Sequence, residues 1–400
     1  MDSQDERVPS VFSVPLVLFF VGIFLFIALL NGQRDLGLWA ILVLGVAGGA
    51  KVWGRLSLAG LTCHSSADRV KVFPGEILNL KIIAENAKFL PVWLRLSLPA
   101  GEAFDPASAE QPFTRESGLL WYQRARFHWQ LKAKRRGVHS VGPPRIMVGD
   151  LLGFFPQEKK KEKALDIVVY PRLLALKSFS LPRRDLFGSP GAKSPVQDPV
   201  YILGTRDYQH SQPARFIHWK ASARHSRLQE KVFEPSSQAK ALLVIDVGGF
   251  AVNRAEAAFE RTLETAASLA LRMEQEGYAL GLSTNAVLTG GGSPVLPIAR
   301  NSRKLADILE RLARMIMEPQ IAMEDLFQRG LRVPYGVSAL YFSYDADGSV
   351  LAAQKYFSYR KISAAFITAV SPSLPGAQGG RLGGRITPLD ELILEGDEKP

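Results

Sequence analysis

Hydrophobic positions are distributed along this chain in three different ways. From Val11 to Leu30 there is no charged residue, and the stretch is dominated by Val, Leu, Ile and Phe, a length and composition that cross a bilayer as a helix. The connector Asn31-Gly32-Gln33-Arg34-Asp35 is short and turn-forming. A second apolar run, Leu36 to Trp53, follows it, with Lys51 near its end able to snorkel. The pattern predicts a transmembrane helical hairpin over residues 11–54, with both chain ends on one side. Gly45, Gly48 and Gly49 in the second run suit close helix contact. The connector holds only Arg34, whereas Lys51, Arg55, Arg69 and Lys71 follow, so residues 1–10 and the bulk of the chain are expected on the cytoplasmic side. A cleavable leader fits poorly. Asp2, Asp5 and Glu6 outweigh Arg7, and no small-residue cleavage site follows Leu30.

From Leu61 to Arg172 the period changes to two. Ile77 to Ile83, Pro91 to Pro99 and Arg126 to Ala133 read as short strands between turn residues, and their spacing predicts an all-β sandwich of immunoglobulin or fibronectin type over 61–172. Arg124, Arg126, Lys132, Lys134, Arg135 and Arg136 read as a solvated sheet face and turn. Six prolines and glycines between Pro182 and Pro199 mark a linker, 173–199.

In the rest of the chain apolar strands alternate with amphipathic helices. Ala241 to Ile245 is a continuous apolar run closing on Asp246, and Gly277 to Ser283, Val337 to Tyr344 and Ala364 to Val370 read as further strands. Between them, Arg254 to Glu276 and Ser302 to Met317 repeat at helical spacing. The pattern predicts a doubly wound α/β domain over 200–370, then a flexible tail over 371–400 that is rich in glycine and acidic at its end.

Charge and cysteine usage narrow the partners rather than the fold. The 400 residues carry a formal charge of +11, which favours anionic partners, namely inner-leaflet lipid, nucleic acid or an acidic protein face, without choosing among them. Cys63 is the single cysteine and reads as a small buried apolar residue, so no disulfide framework and no cysteine-based zinc site is available.

The densest chemistry lies just ahead of the apolar strands. Gly204-Thr205-Arg206-Asp207-Tyr208 and Arg215-Phe216-Ile217-His218-Trp219-Lys220-Ala221-Ser222-Ala223-Arg224 place Arg206, Arg215, Lys220 and Arg224 among Tyr208, Phe216 and Trp219, with Asp207 as the only carboxylate. On a short helix Lys220 and Arg224 share a face. Trp219 is expected in the core, because a large aromatic has apolar area to bury. The stretch resembles the signature of the bacterial domain of unknown function 58 family, matching at Arg206, Tyr208, Arg215, Ile217, Trp219, Lys220, Ser222, Ala223 and Arg224. The family's Gly-Asp pair is replaced by Ser211-Gln212. Arg135-Arg136-Gly137-Val138-His139, Asp150 to Phe155 and Val168 to Arg172 resemble further family segments in the same order. The resemblance implies a von Willebrand factor A-like fold for the α/β domain, anchoring in the bacterial inner (cytoplasmic) membrane, and association with a MoxR-type AAA+ ATPase in assembly or activation of an envelope complex.

Von Willebrand A domains begin their metal-ion-dependent adhesion site with Asp-x-Ser-x-Ser at a strand end, since a hard divalent ion needs several oxygens. Here the run is Asp246-Val247-Gly248-Gly249-Phe250, so both serines are gone and no metal is expected at this degenerate position. Thr289-Gly290-Gly291-Gly292-Ser293 lacks the Gly-Lys-Ser/Thr of a phosphate loop and reads as a turn. His210, His218 and His225 match no zinc spacing. Ser222 stands in no recognisable nucleophile elbow. The expected function is therefore a non-enzymatic membrane scaffold without cofactor, with Arg206, Asp207, Tyr208, Arg215, His218, Trp219, Lys220, Ser222 and Arg224 as the signature or partner surface. The rival reading is a membrane-tethered binder of nucleic acid or another anionic polymer, and a hydrolase ranks below both.

Overall fold

A computed structural model describes residues 13–99, 101–107, 113–150, 155–159, 164–177, 202–209, 214–233, 239–329, 333, 336–346, 348–370 and 386–393. Residues 178–199 of the linker expected at 173–199, His210, and the Ser211-Gln212 pair lie outside them, whereas residues 173–177 are described and Leu176 bridges to Ile393. The chain divides between Tyr170 and Pro171 into two compact units.

The first unit opens with the helices Ser13–Leu30 and Arg34–Ser57. Gly32, at φ 66°, closes the first by a paired cap: its N–H reaches the Leu29 carbonyl at 3.3 Å and the Gln33 N–H reaches that of Ala28 at 3.0 Å. Arg34–Ser57 is the one helix among the described residues that is long and apolar enough to cross a membrane, and the apolar part of its neighbour runs Leu16–Leu30. The second helix extends past the apolar window at both ends, and length compensates for its glycines. The helix contact also uses other residues than expected. Gly37, Ala40, Ala47, Ala50 and Gly54 form the buried stripe, whereas a Cβ on Gly45, Gly48 or Gly49 would meet nothing within 4 Å.

The β-rich part that follows contains two four-stranded antiparallel sheets. One has the strand order Leu61–Ala67, Ile77–Asn86, Arg124–Ala133, Phe104–Pro106, and the other Gln157–Lys159, Arg145–Gly149, Val92–Ser97, Thr114–Leu119. Leu78, Leu80 and Ile82 of the first and Val92, Leu94 and Leu96 of the second meet in one core around Trp129 and Phe127. Strict alternation drives this: Ile82 pairs with Phe127 inside, while Glu85 pairs with Arg124 outside, joined at 2.9 Å. The cationic face is thus solvated, as its pattern indicated. A three-stranded sheet, Lys71–Val72, Leu165–Val169, Gly137–Val141, completes the unit.

In the second unit a six-stranded sheet runs Val295–Ala299, Ala279–Thr284, Lys240–Ile245, Val337–Ser343, Ser363–Thr368, Ile386–Pro388, all parallel except the antiparallel edge Val295–Ala299. Leu242, Val244, Ala339 and Tyr341 pack on Met323–Arg329 and Gly348–Tyr359. The alternate residues are equally buried on the face served by Glu256–Gln275 and Lys304–Arg314, so the strands read as unbroken apolar runs. Two expectations fail here. Residues 315–317, assigned to a helix, begin the strand Met315–Pro319. The supposed tail returns as Ile386–Pro388, and Leu389, Leu392 and Ile393 are buried, because its apolar residues find a sheet edge that glycine content concealed.

Candidate functional site

The signature residues fold as a small unit of their own. Ile202–Asp207 pairs antiparallel with Gln229–Phe233, and the helix Trp219–His225 packs back on the second strand. Its N-cap is His218, whose Nδ1 accepts the Ala221 N–H at 3.1 Å, and it ends at Ser226 in the left-handed region. Ser222 ties helix to strand: its hydroxyl donates to the His218 carbonyl at 3.1 Å and accepts the Gln229 N–H at 2.9 Å. The Ser222 oxygen is engaged in holding the fold, and no base is set against it by these bonds.

The charges of the signature separate into two groups. The strand register puts Arg206 opposite Glu230 and Asp207 opposite Gln229. Arg206 pairs with Glu230, whose side chain is only 3% exposed, and Asp207 accepts from both Gln229 and Arg227. These groups brace the hairpin. Lys220 and Arg224 share the outer side of the helix, exposed and without an ion-pair partner among the described residues. Trp219 opens the helix at 70% exposure, which corrects its expected burial. Ile217 takes the inward place instead, bridging to Glu230, since the helix begins only after it. Arg215 lies over the Phe216 ring, 5.0 Å from its centroid. Tyr208 is half-buried beside Leu228, its N–H bonded to that carbonyl at 2.9 Å. The outcome is an outward cationic and aromatic face suited to an anionic or acidic partner.

A second location is a 530 Å³ cleft lined by Asp246, Asn285, Gln320, Glu324, Asp345 and Ser349, among others. It sits at the carboxyl ends of Lys240–Ile245 and Val337–Ser343, where the chain crosses from one half of the sheet to the other. Asp246 is buried there by neutral donors. Its Oδ1 accepts from the Gly248 N–H at 3.0 Å and the Asn285 amide at 2.8 Å, and its Oδ2 from the Tyr341 hydroxyl at 2.8 Å. It caps the loop and meets no cation of the signature. Phe250, at the second lost serine position, is wholly buried against Phe259 and Tyr344. Among the described residues no group of three His, Cys, Asp or Glu side chains is placed to hold a metal. Asn285 was missed by sequence reasoning, and its only signal was its place directly after an apolar strand.

The triple-glycine segment is a turn between strands. Gly290, Gly291 and Gly292 all have positive φ, and Arg311 and Arg314 hold the neighbouring carbonyls of Ser293 and Thr289.

Comparison with known proteins meets the chain at the signature. Residues 204–330 match the family described as "Protein of unknown function DUF58". The chain is 26% identical over 196 residues to the "Uncharacterized protein YeaD" of Bacillus subtilis (strain 168), covering 48% of this chain and 46% of that protein. It therefore spans about half the length of the curated relative it matches. Among solved structures, the cupredoxin domain of amoB from Nitrosocaldus yellowstonii is similar over 28% of this chain and 89% of its own, at 9% identity and a TM-score of 0.22. The ASH/PapD-like domain of human CEP192 is similar over 26% of this chain and 82% of its own, at 12% identity and a TM-score of 0.18.

Proposed function

We propose that this chain is a non-enzymatic scaffold or adaptor of the bacterial cytoplasmic membrane, working with a MoxR-type AAA+ ATPase in assembling or activating an envelope complex. Both N-terminal helices cross the bilayer as a hairpin, and the two folded units stand on the cytoplasmic side. The α/β unit is von Willebrand factor A-like, a reading supported by its strand order and its antiparallel edge strand. The signature helix is the docking face for the partner. The observation that carries this reading is the division of the signature: Arg206 and Asp207 are engaged across the hairpin, while Trp219, Lys220 and Arg224 are all exposed on the short helix. A structural brace has no use for an exposed tryptophan beside two unpaired cations.

Replacing Lys220 and Arg224 by Glu tests it. Surface changes of this kind alter stability by about 0.5 kcal/mol or less, so the melting temperature stays nearly constant while capture of the ATPase from native membranes is lost. Retained capture by the charge-reversed chain overturns the docking face. The same exposed residues also favour the anionic-polymer reading. Binding to single-stranded nucleic acid that falls log-linearly with salt, and vanishes in the same variant, would replace the ATPase reading by that one.

A further inference from the structure

Two loops of the β-rich part close around the end of Arg34–Ser57. The Trp53 indole N–H donates to the Pro91 carbonyl at 2.7 Å. Lys88 Nζ donates to the carbonyls of Leu56 at 2.7 Å and Ala59 at 2.6 Å, and to that of Ser57. These bonds satisfy carbonyls that a helix end leaves open and set a cation at the negative end of its dipole. Partial burial holds the Lys88 ammonium below the ordinary lysine value. The loop around Lys88 is bonded in turn to the one around Trp121. The Tyr122 N–H donates to the Lys88 carbonyl at 3.2 Å, and the Asn86 side-chain amide donates to the Leu90 and Leu120 carbonyls at 2.9 Å each. The two loops thus make one tip, fixed at the level of Trp53.

That tip turns large apolar groups outward. Phe89 is 73% exposed and Trp121 52%, their rings stacked with centroids 5.5 Å apart and planes 17° apart. Leu120 is exposed beside them, and so is Tyr122, whose backbone is held at φ 56°, a region that a bulky residue enters at a cost. Scattered exposed hydrophobics need no explanation, but four on two adjoining, mutually bonded loops form a patch.

We propose that Phe89, Leu120, Trp121 and Tyr122 dock into the interfacial layer of the same bilayer that Arg34–Ser57 enters, as a second membrane contact beside the helix. The occupant is lipid because the tip is bonded to the helix at Trp53, Leu56 and Ser57, where its apolar run ends and the headgroup layer begins. Its chemistry agrees, since Trp and Tyr with an apolar body and a polar edge concentrate at that depth. Lys51 and Arg55 on the adjoining helical turns suit anionic headgroups. The proposal rests on the membrane reading of Arg34–Ser57.

The test uses the full chain with Cys63→Ala, reconstituted in vesicles of phosphatidylethanolamine and phosphatidylglycerol. A nitroxide is placed at Leu42→Cys or at Leu120→Cys, both exposed positions, with folding checked by circular dichroism. Accessibility to oxygen is compared with accessibility to a water-soluble nickel chelate. The expected result is that oxygen dominates at both positions, more strongly at 42, and that adding Phe89→Ser and Trp121→Ser reverses the preference at 120 alone. A label at 42 in lipid with one at 120 in water overturns the tip and leaves the anchor standing. A label at 42 in water overturns the anchor itself. A label at 120 shielded from both reagents shows a protein contact, which also sinks the proposal.

Discussion

Trp219 shows how little a single side chain's chemistry says about its direction. Its apolar area argued for the core, yet the inward position belongs to Ile217, because the helix is seven residues long and starts at Trp219 itself. A helix of just under two turns is too short for spacing to decide the buried face. Trp219→Ala should therefore change stability by about 0.5 kcal/mol or less, far from the roughly 3–5 kcal/mol of a buried tryptophan. Arg206→Ala should cost more, about 1.5–3 kcal/mol, by removing a charged hydrogen bond from a buried carboxylate. Glu230 Oε2 already lacks a partner among the described residues, so nothing stands ready to replace the arginine. Thermal unfolding of both variants checks the order, and a Trp219→Ala loss as large as that of Arg206→Ala would return Trp219 to the core. The sequence left Asp207, Glu230 and Asp246 open as partners for the signature cations, and the choice of Glu230 for Arg206 depends on the register of two strands separated by a helix.

Elements were legible where one period ran long enough. Ile77–Asn86, Arg124–Ala133, Lys240–Ile245 and Glu256–Gln275 all lie where alternation, an unbroken apolar run or helical spacing placed them. Short pieces escaped for the converse reason. Met323–Arg329 has seven residues and Ile386–Pro388 three, too few to show a period, and both are secured by tertiary contact. Glycine usage in Arg34–Ser57 misled in a similar way, since spacing alone cannot say which small residues face a neighbour. The two kinds of glycine can be told apart by experiment. A Cβ on Gly54 would lie 2.7 Å from the Phe155 carbonyl oxygen and 2.9 Å from its Cβ, so Gly54→Ala should destabilise by about 1–3 kcal/mol, as overpacking does. Gly48 has open space around it, and Gly48→Ala should be neutral or stabilise by up to about 1 kcal/mol through helix propensity. Unfolding in detergent that ranks the two the other way would displace the contact between the helix and Phe155.

At the scale of the whole molecule, the sequence showed an apolar beginning, a β-rich middle and an α/β remainder, because each has its own hydrophobic period. How many times the chain crosses a membrane is a separate matter, since it depends on a margin of a few residues. Arg34–Ser57 has 24 residues, or about 36 Å at the α-helical rise, against a hydrocarbon core of about 30 Å. The described part of the first helix, Ser13–Leu30, has 18, or about 27 Å. The two possibilities differ at one place. Under the proposed topology the cations after the second helix keep the folded units on the cytoplasmic side in either case. If both helices cross, the chain ahead of Ser13 is also cytoplasmic and only the turn at Asn31 to Gln33 is exposed outside. If only the second crosses, everything ahead of Arg34 lies outside. The capped turn at Gly32 favours the hairpin, because it returns the chain within three residues and lays Leu18, Val21, Leu25 and Ala28 along the partner-facing, less exposed side of the first helix. A reporter joined ahead of Ser13 and another after Arg55 should both be active only in the cytoplasm. Cytoplasmic activity after Arg55 with external activity ahead of Ser13 would leave a single crossing and place the first helix on the outer surface.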